Sequence, residues 1–265
     1  MFSAAIQGQW GISAGGGSTP PGKPGWGSPA VTPGDGQAVF RVAPAAVSDQ
    51  VYVRYQRMLP NQNWSALASS PNRVGAGAVT LSGLTNMLGY VGILHAKAGS
   101  LVSEVSGPQY FIPTDGSDAE IDLLMAAMAA QLNLLGLTSL DADGESVAIS
   151  ASVEIPPSFE NVDTPCFKIF PDTEEAEALR AKNAIVPRVN VAFCQRSKTS
   201  GQKSEQFRIR EIVRDEFLGK RPLAFTSALC VAETESEIMN MDALQNQMKW
   251  VSVVTFEFQG LRARR

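Results

Sequence analysis

Pro113-Thr114-Asp115-Gly116-Ser117 marks the point where composition, charge and hydrophobic period change together. Residues 1–113 hold 17 of the 23 glycines but only nine charged side chains, six basic and three acidic. The remaining 152 residues carry 16 basic and 23 acidic side chains and six glycines. The formal net charge of -4 thus combines a near-neutral, slightly basic front half with a back half at -7. A break of this kind points to separately built domains, and to an adaptor before an enzyme.

Working downstream, Ser117-Asp118-Ala119-Glu120 has the form of a capping box, in which a serine oxygen and a glutamate satisfy amides left free at a helix start. Ile121, Leu124, Met125, Met128, Leu132 and Leu135 then recur at helical spacing, and Gly136 can end the run. The spacing predicts an amphipathic helix whose methionines fill core. Residues 146–155 alternate as one strand, and residues 166–170 form a short apolar strand ending at Pro171. Thr173 to Lys182 reads as a helical turn or an exposed loop. Val189, Val191 and Phe193 share one face of a strand. Residues 205–218 read as a helix with Ile209, Ile212, Val213 and Phe217 on one side and Gly219 as its stop. Leu229-Cys230-Val231 is a strand, Thr234-Glu235-Ser236-Glu237 caps a helix bearing Ile238, Met241, Leu244 and Met248, and residues 251–258 close as a strand. The expected class for residues 118–265 is α/β, with helices packed on a mostly antiparallel or mixed sheet.

Working upstream, residues 29–113 contain short runs rich in β-branched and aromatic residues. These are Ala38-Val39-Phe40-Arg41-Val42, Val51-Tyr52-Val53-Arg54-Tyr55, Val79-Thr80-Leu81, Tyr90-Val91-Gly92-Ile93-Leu94 and Tyr110-Phe111-Ile112. Turn signals such as Pro33-Gly34-Asp35-Gly36, Pro60-Asn61-Gln62-Asn63 and Ala98-Gly99-Ser100 separate them, which predicts an all-β sandwich. Residues 114–117 are the linker. Residues 1–28 have too little apolar surface to offset ordering entropy and are expected as a flexible or extended arm. Trp10 and Trp26 within it would serve a docking arm as anchors, while a plain tail would gain little from two indoles.

The totals bound the function. A chain of 265 residues accommodates two domains of roughly 100 to 150 residues. The mild acidity argues against a dedicated nucleic-acid binder. The most apolar helical stretch, residues 121–135, is interrupted by Asp122, Gln131 and Asn133 and is too short to span a bilayer, so no membrane partner is expected. The first residues lack the basic and apolar regions of a signal peptide, which predicts folding in a cytoplasm. Cys166, Cys194 and Cys230 are few, odd in number and widely spaced, which suits reduced, partly buried thiols.

Catalysis needs convergent groups, and few are present. His95 is the only histidine and lies in a predicted strand without a nucleophile signature beside it. Asp141-Ala142-Asp143-Gly144-Glu145 departs from a calcium loop in its glycine position and its missing distal glutamate, and reads as a helix-to-strand turn. Glu174, Glu175 and Glu177 form a solvated face, and Gly75-Ala76-Gly77 lacks the lysine and third glycine of a phosphate cradle. Arg208, Arg210 and Arg214 are expected to pair along their own helix with Glu205, Glu211 and Asp215. Leu261-Arg262-Ala263-Arg264-Arg265 is an unbalanced basic cluster that suits either an acidic partner or a solvated terminus. No catalytic, cofactor or metal residue is assigned, and the chain is not expected to be an enzyme. The interface residues assigned are Trp10, Trp26, Arg262, Arg264 and Arg265.

Two resemblances follow. Val51-Tyr52-Val53-Arg54-Tyr55, Trp64-Ser65-Ala66-Leu67, the Leu81-Ser82-Gly83-Leu84 turn leading to Tyr90, and Ser106-Gly107-Pro108 resemble a fibronectin type III domain. That resemblance implies a corner hydrogen bond from Tyr90. The early-strand tryptophan of that family is missing near Phe40 and Val42, so an immunoglobulin-like relative stays open. After residue 117, the first helix, the strand ending at Pro171, Val189-Asn190-Val191-Ala192-Phe193-Cys194-Gln195-Arg196, the helix Phe207-Arg208-Ile209-Arg210-Glu211-Ile212-Val213-Arg214-Asp215 and the strand Trp250-Val251-Ser252-Val253-Val254-Thr255-Phe256-Glu257-Phe258 resemble, in their order, the tail-terminator and related minor tail proteins of long-tailed bacteriophages. This implies a virion protein assembled in the host cytoplasm, forming a ring, usually of six copies, that caps the tail tube and joins it to the neck. Its partners would be itself, the tail tube protein, a neck or head-tail connector protein, and DNA passing through the lumen without specific binding, with no cofactor. A neighbouring neck or head-tail joining protein is the closest alternative. A carbohydrate- or protein-binding module carried by the sandwich is the alternative of a different class.

Overall fold

The computed structural model describes residues 20–43, 50–60, 68–73, 77–116, 119–141, 143–159, 162–172, 187–196, 203–234 and 249–260. Among them the chain is mostly β, with two helices. Trp10, the Thr173 to Lys182 segment, the helix expected after Thr234 and the Arg262, Arg264 and Arg265 cluster lie outside the described residues.

The front half forms two antiparallel sheets. Strands β1 (Gly25–Gly34), β2 (Gln37–Ala43) and β5 (Gly77–Ser82) make one. Strands β4 (Ala68–Arg73), β3 (Gln50–Arg57), β6 (Tyr90–Ala98) and β7 (Leu101–Val102) make the other, and β8 (Gln109–Phe111) also pairs with β6. Phe40, Val53, Leu81, Leu94 and Phe111 from these strands meet in one core between the sheets. There the Phe40 and Phe111 rings meet edge to face at 5.2 Å, the geometry that aromatic quadrupoles favour. The Tyr90 hydroxyl accepts the Thr85 N–H at 3.0 Å, closing the corner before β6.

The boundary of this sandwich differs from the sequence expectation. Trp26 sits in β1, not in an arm, with its ring 5.7 Å from Phe40 and its Nε1 donating to the Gly107 carbonyl at 2.8 Å. Pairing with β2 supplies β1 with the ladder that its own glycines and prolines disfavour, so tertiary context overrides local propensity.

Helix α1 (Glu120–Leu134) follows the joint. Its N-cap is Ala119, which makes no side-chain capping bond, so the expected capping box is not the device that starts it. Glu120 and Asp122 in the first turn instead complement the positive end of the helix dipole. Gly136, at φ 61°, ends it in the left-handed region that a side chain resists.

Strands β9 (Thr138–Leu140) and β10 (Ser146–Ala148) form a hairpin. The run 146–155, expected as one strand, is divided: β10 stays in the hairpin and β11 (Ser150–Val153) joins a different sheet. Asp141 lies in this hairpin turn, between two strands, and its side chain accepts the N–H groups of Asp143 and Glu145 at 2.8 and 3.0 Å. The larger sheet has the order β11, β12 (Cys166–Pro171), β13 (Arg188–Arg196), β15 (Lys249–Gln259), β14 (Leu229–Thr234). Only β11 and β12 run parallel.

One core joins this sheet to both helices. Leu124, Met128 and Leu132 of α1 and Ile209, Val213 and Phe217 of α2 (Lys203–Phe217) share it with Phe167, Ile169, Val191, Phe193, Val254 and Phe256. Each such side chain contributes about 1.5–3 kcal/mol by leaving water.

Candidate functional site

Helix α1 is not amphipathic. Every residue from Leu124 to Asn133 is buried, because the face opposite the sheet is covered by the sandwich. Ala130 and Leu134 pack with Met58, Val91 and Tyr110, while Leu123, Ala126 and Ala127 pack with Met87, Ile112 and Phe225. Alanines on this face let the backbones approach closely. A Cβ at Gly89 would lie 2.2 Å from the Ala130 Cβ and 3.2 Å from the Met58 sulfur. The joint read from composition is therefore a packed interface.

Two buried amides fix the helix. Asn133 accepts the Ala151 N–H at 2.7 Å and donates to the Ala151 carbonyl at 3.0 Å, pairing with edge strand β11 as a neighbouring strand would. Gln131 donates to Glu216 at 2.6 Å and accepts the Leu223 N–H at 2.9 Å. A third amide, Gln195, donates to Ser139 and the Leu140 carbonyl and accepts from Gln206, so β13, β9 and α2 share one buried polar network.

The arginines of α2 do not form the expected pairs within their helix alone. Arg210 reaches Ser252, the Val253 carbonyl and Glu233 at 3.0, 2.8 and 3.2 Å. Arg214 bonds the other Glu233 oxygen at 2.8 Å. Glu233 on β14 thus clamps two successive turns of α2 to the sheet edge, a cross-element contact that helical spacing does not reveal. Arg208 is exposed.

The sheet face away from the helices carries a second cluster. A parallel β11–β12 pair requires a crossover, and of that connection residues 154–159 and 162–165 form a strap over this face. Phe159 and Val162 of the strap pack on Ala192, Cys194 and Val251, with Cys166, Phe170 and Val253 around them. Lys168 pairs with Glu154 at 2.6 Å, donates to the Ser158 carbonyl and stands 5.8 Å from the Phe159 ring centre. Lys249 donates to the Phe159 carbonyl at 3.0 Å. Beneath the strap Cys166 and Cys194 are direct cross-strand partners. Interaction with the neighbouring Cys194 side chain is the main influence lowering the Cys166 pKa, with the Lys168 ammonium adding to it against burial and Glu154. The same interaction, with burial, raises that of Cys194, whose thiol donates to the Ala192 carbonyl at 4.0 Å. Cys230 lies in the other core, on the helix side, and burial pushes its thiol up to about 11.

His95 is buried on the sandwich and stacks on Tyr52 at 5.3 Å. Burial, then Arg54 and Lys97, pulls its pKa down to about 4, so the ring is neutral at ordinary pH. Among the described residues no group of three or more His, Cys, Asp or Glu is placed to hold a metal ion. No described helix is long and apolar enough to cross a membrane. Of the residues expected at an interface, Trp26 is part of the sandwich, and the other four are outside the described residues. The most exposed large apolar side chains described are Ile155 at 59%, Phe207 at 44%, Val102 at 43% and Val153 at 38%. Val153 and Ile155 sit at the end of edge strand β11, where no motif in the sequence announces them.

No protein-family model matches the chain, and no curated protein matches it. Solved structures similar to it include the chicken CNTN1 FN1–FN3 domains, at 16% identity over 36% of this chain and 32% of that one, with a TM-score of 0.28. The twitchin kinase region from C. elegans matches at 13% identity, 90% and 39% coverage and a TM-score of 0.29. Titin kinase and its flanking domains match at 11% identity, 91% and 37% coverage and a TM-score of 0.30. The chain thus spans between 32% and 39% of the length of these chains, and likeness at such TM-scores assigns it no activity.

Proposed function

We propose that the chain is a structural virion protein, the tail terminator of a long-tailed bacteriophage, which forms a ring on the end of the tail tube and joins it to the neck. In this reading residues 118–265 are an α/β ring-forming domain, and the front half is a fibronectin type III-like sandwich projecting from it. The observation that carries the proposal is the order and layering after residue 117: a leading helix, a mixed five-stranded sheet, and a second helix between β13 and β14 that shares the first helix's side of the sheet. That layering leaves β11 and β14 as edges, and the β11 edge presents Val153 and Ile155 to a neighbour. The strand order β1-β2-β5 against β4-β3-β6-β7 and the Tyr90 corner support the fibronectin-like assignment.

Partners in this reading are further copies of the chain, the tail tube protein and a neck or connector protein, with DNA passing through the lumen. Negative-stain imaging of the purified full chain tests it: monodisperse rings with a central hole are expected. Isolated single subunits that bind immobilised glycans would replace it with a carbohydrate-binding module carried by the sandwich.

A further inference from the structure

We propose that Cys166 and Cys194 form a dithiol site that accepts an external disulfide and closes into a cross-strand disulfide within one subunit. They stand directly opposite each other on β12 and β13, so both side chains leave the same face of the sheet. Opposite residues of an antiparallel pair have Cα atoms about 4.5–5.5 Å apart. A disulfide needs about 4.4–6.8 Å, so closure requires no backbone rearrangement.

The two thiols are also unequal in the way such an exchange requires. Cys166 is partly open to solvent, while Cys194 is fully buried. Lys168 lies two positions along β12 on the same face, and its ammonium beside Cys166 favours the thiolate, the attacking form. The strap, held by Lys168 and Lys249 through the Ser158 and Phe159 carbonyls, shields Cys194 from a second oxidant molecule. The second step is thereby intramolecular.

With glutathione disulfide as oxidant, the Cys166 thiolate attacks one of its sulfurs, the S–S bond breaks and one glutathione leaves as a thiolate. Cys194 then loses its proton and attacks the Cys166 sulfur of the mixed disulfide, releasing the second glutathione as a thiolate. Both leaving thiolates take up the protons that the two cysteines lost. The protein dithiol is oxidised, and one glutathione disulfide is reduced to two thiols.

The test treats the folded full chain with glutathione disulfide, counts free thiols after quenching and maps the linkage by mass spectrometry. The count is expected to fall from three to one, with Cys166 joined to Cys194 within a single chain and Cys230 still free. Cys194→Ala is expected to stop at a glutathione adduct on Cys166. Cys166→Ser is expected to lose thiols about tenfold more slowly or less. Chain unfolded in urea is expected to spread linkages among all three cysteine pairings. A wild-type folded protein that keeps all three thiols, links through Cys230, or holds a lasting glutathione adduct at Cys166 beside free Cys194 would overturn the proposal.

Discussion

Replacing Gly89 by alanine tests the joint between the two halves directly. The added methyl would sit 2.2 Å from the Ala130 Cβ, whereas carbon atoms in contact normally stand about 3.5–4.0 Å apart. Helix α1 would have to retreat by about 1.5 Å to restore ordinary contact. Its opposite face is seated on the sheet through Leu124, Met128 and Leu132, so retreat opens the core there. Overpacking typically costs about 1–3 kcal/mol, and a clash between two inflexible methyls belongs at the upper end, about 3 kcal/mol. Ala130→Gly alone removes a buried methyl and weakens the helix, costing about 1–2 kcal/mol. Combined, the alanine at 89 occupies the space vacated at 130, and the double variant is expected about 1 kcal/mol below the parent rather than about 4–5. Urea denaturation of the four full-length proteins at equal concentration measures all the terms. A Gly89→Ala variant as stable as the parent, or a double variant equal to the sum of the singles, would refute the packed joint.

Asn133→Ala leaves the Ala151 N–H and carbonyl without their side-chain partner in a buried setting and should cost about 2–4 kcal/mol by the same denaturation assay. Tyr90→Phe removes the corner bond to the Thr85 N–H while keeping the ring in the core, and should cost about 1 kcal/mol. His95 has its pKa lowered from 6.5 to about 4 in the folded chain, so its neutral form stabilises the fold above pH 6.5 and that contribution is lost as pH falls toward 4. The loss is at most about 3 kcal/mol. His95→Gln should flatten this part of the stability profile relative to the parent.

Much of the sandwich was legible because its strands are short runs rich in β-branched and aromatic residues between turn signals, as in Val51-Tyr52-Val53 and Tyr90-Val91-Gly92-Ile93-Leu94. The corner bond of Tyr90 was expected from the fibronectin type III resemblance, and the Tyr90 hydroxyl does meet the Thr85 N–H. Strand β1 was not legible, since Gly25, Gly27 and Pro29 give Trp26 a loop-like setting and only the ladder to β2 makes it a strand. Helix α1 was placed correctly but given one apolar face. Periodicity marks the large residues on the sheet side, while Ala126, Ala127 and Ala130 on the sandwich side are too small to register. The lack of any charge after Asp122 was the available signal for burial all round. Division of the 146–155 run depends on which sheet each part joins, which local pattern does not encode. The Cys166 and Cys194 pair is a product of register between strands 28 residues apart, and Glu233 meets Arg210 and Arg214 only once β14 lies beside α2. Such sites arise from long-range pairing and leave no local spacing to find.

The mass of the full chain in solution, measured by light scattering across a range of concentrations, tests ring assembly most directly. A stable species of about six times the 28.3 kDa subunit, with Ile155→Asp shifting it toward single chains, is the expected result. A mass of one subunit at every concentration would contradict it.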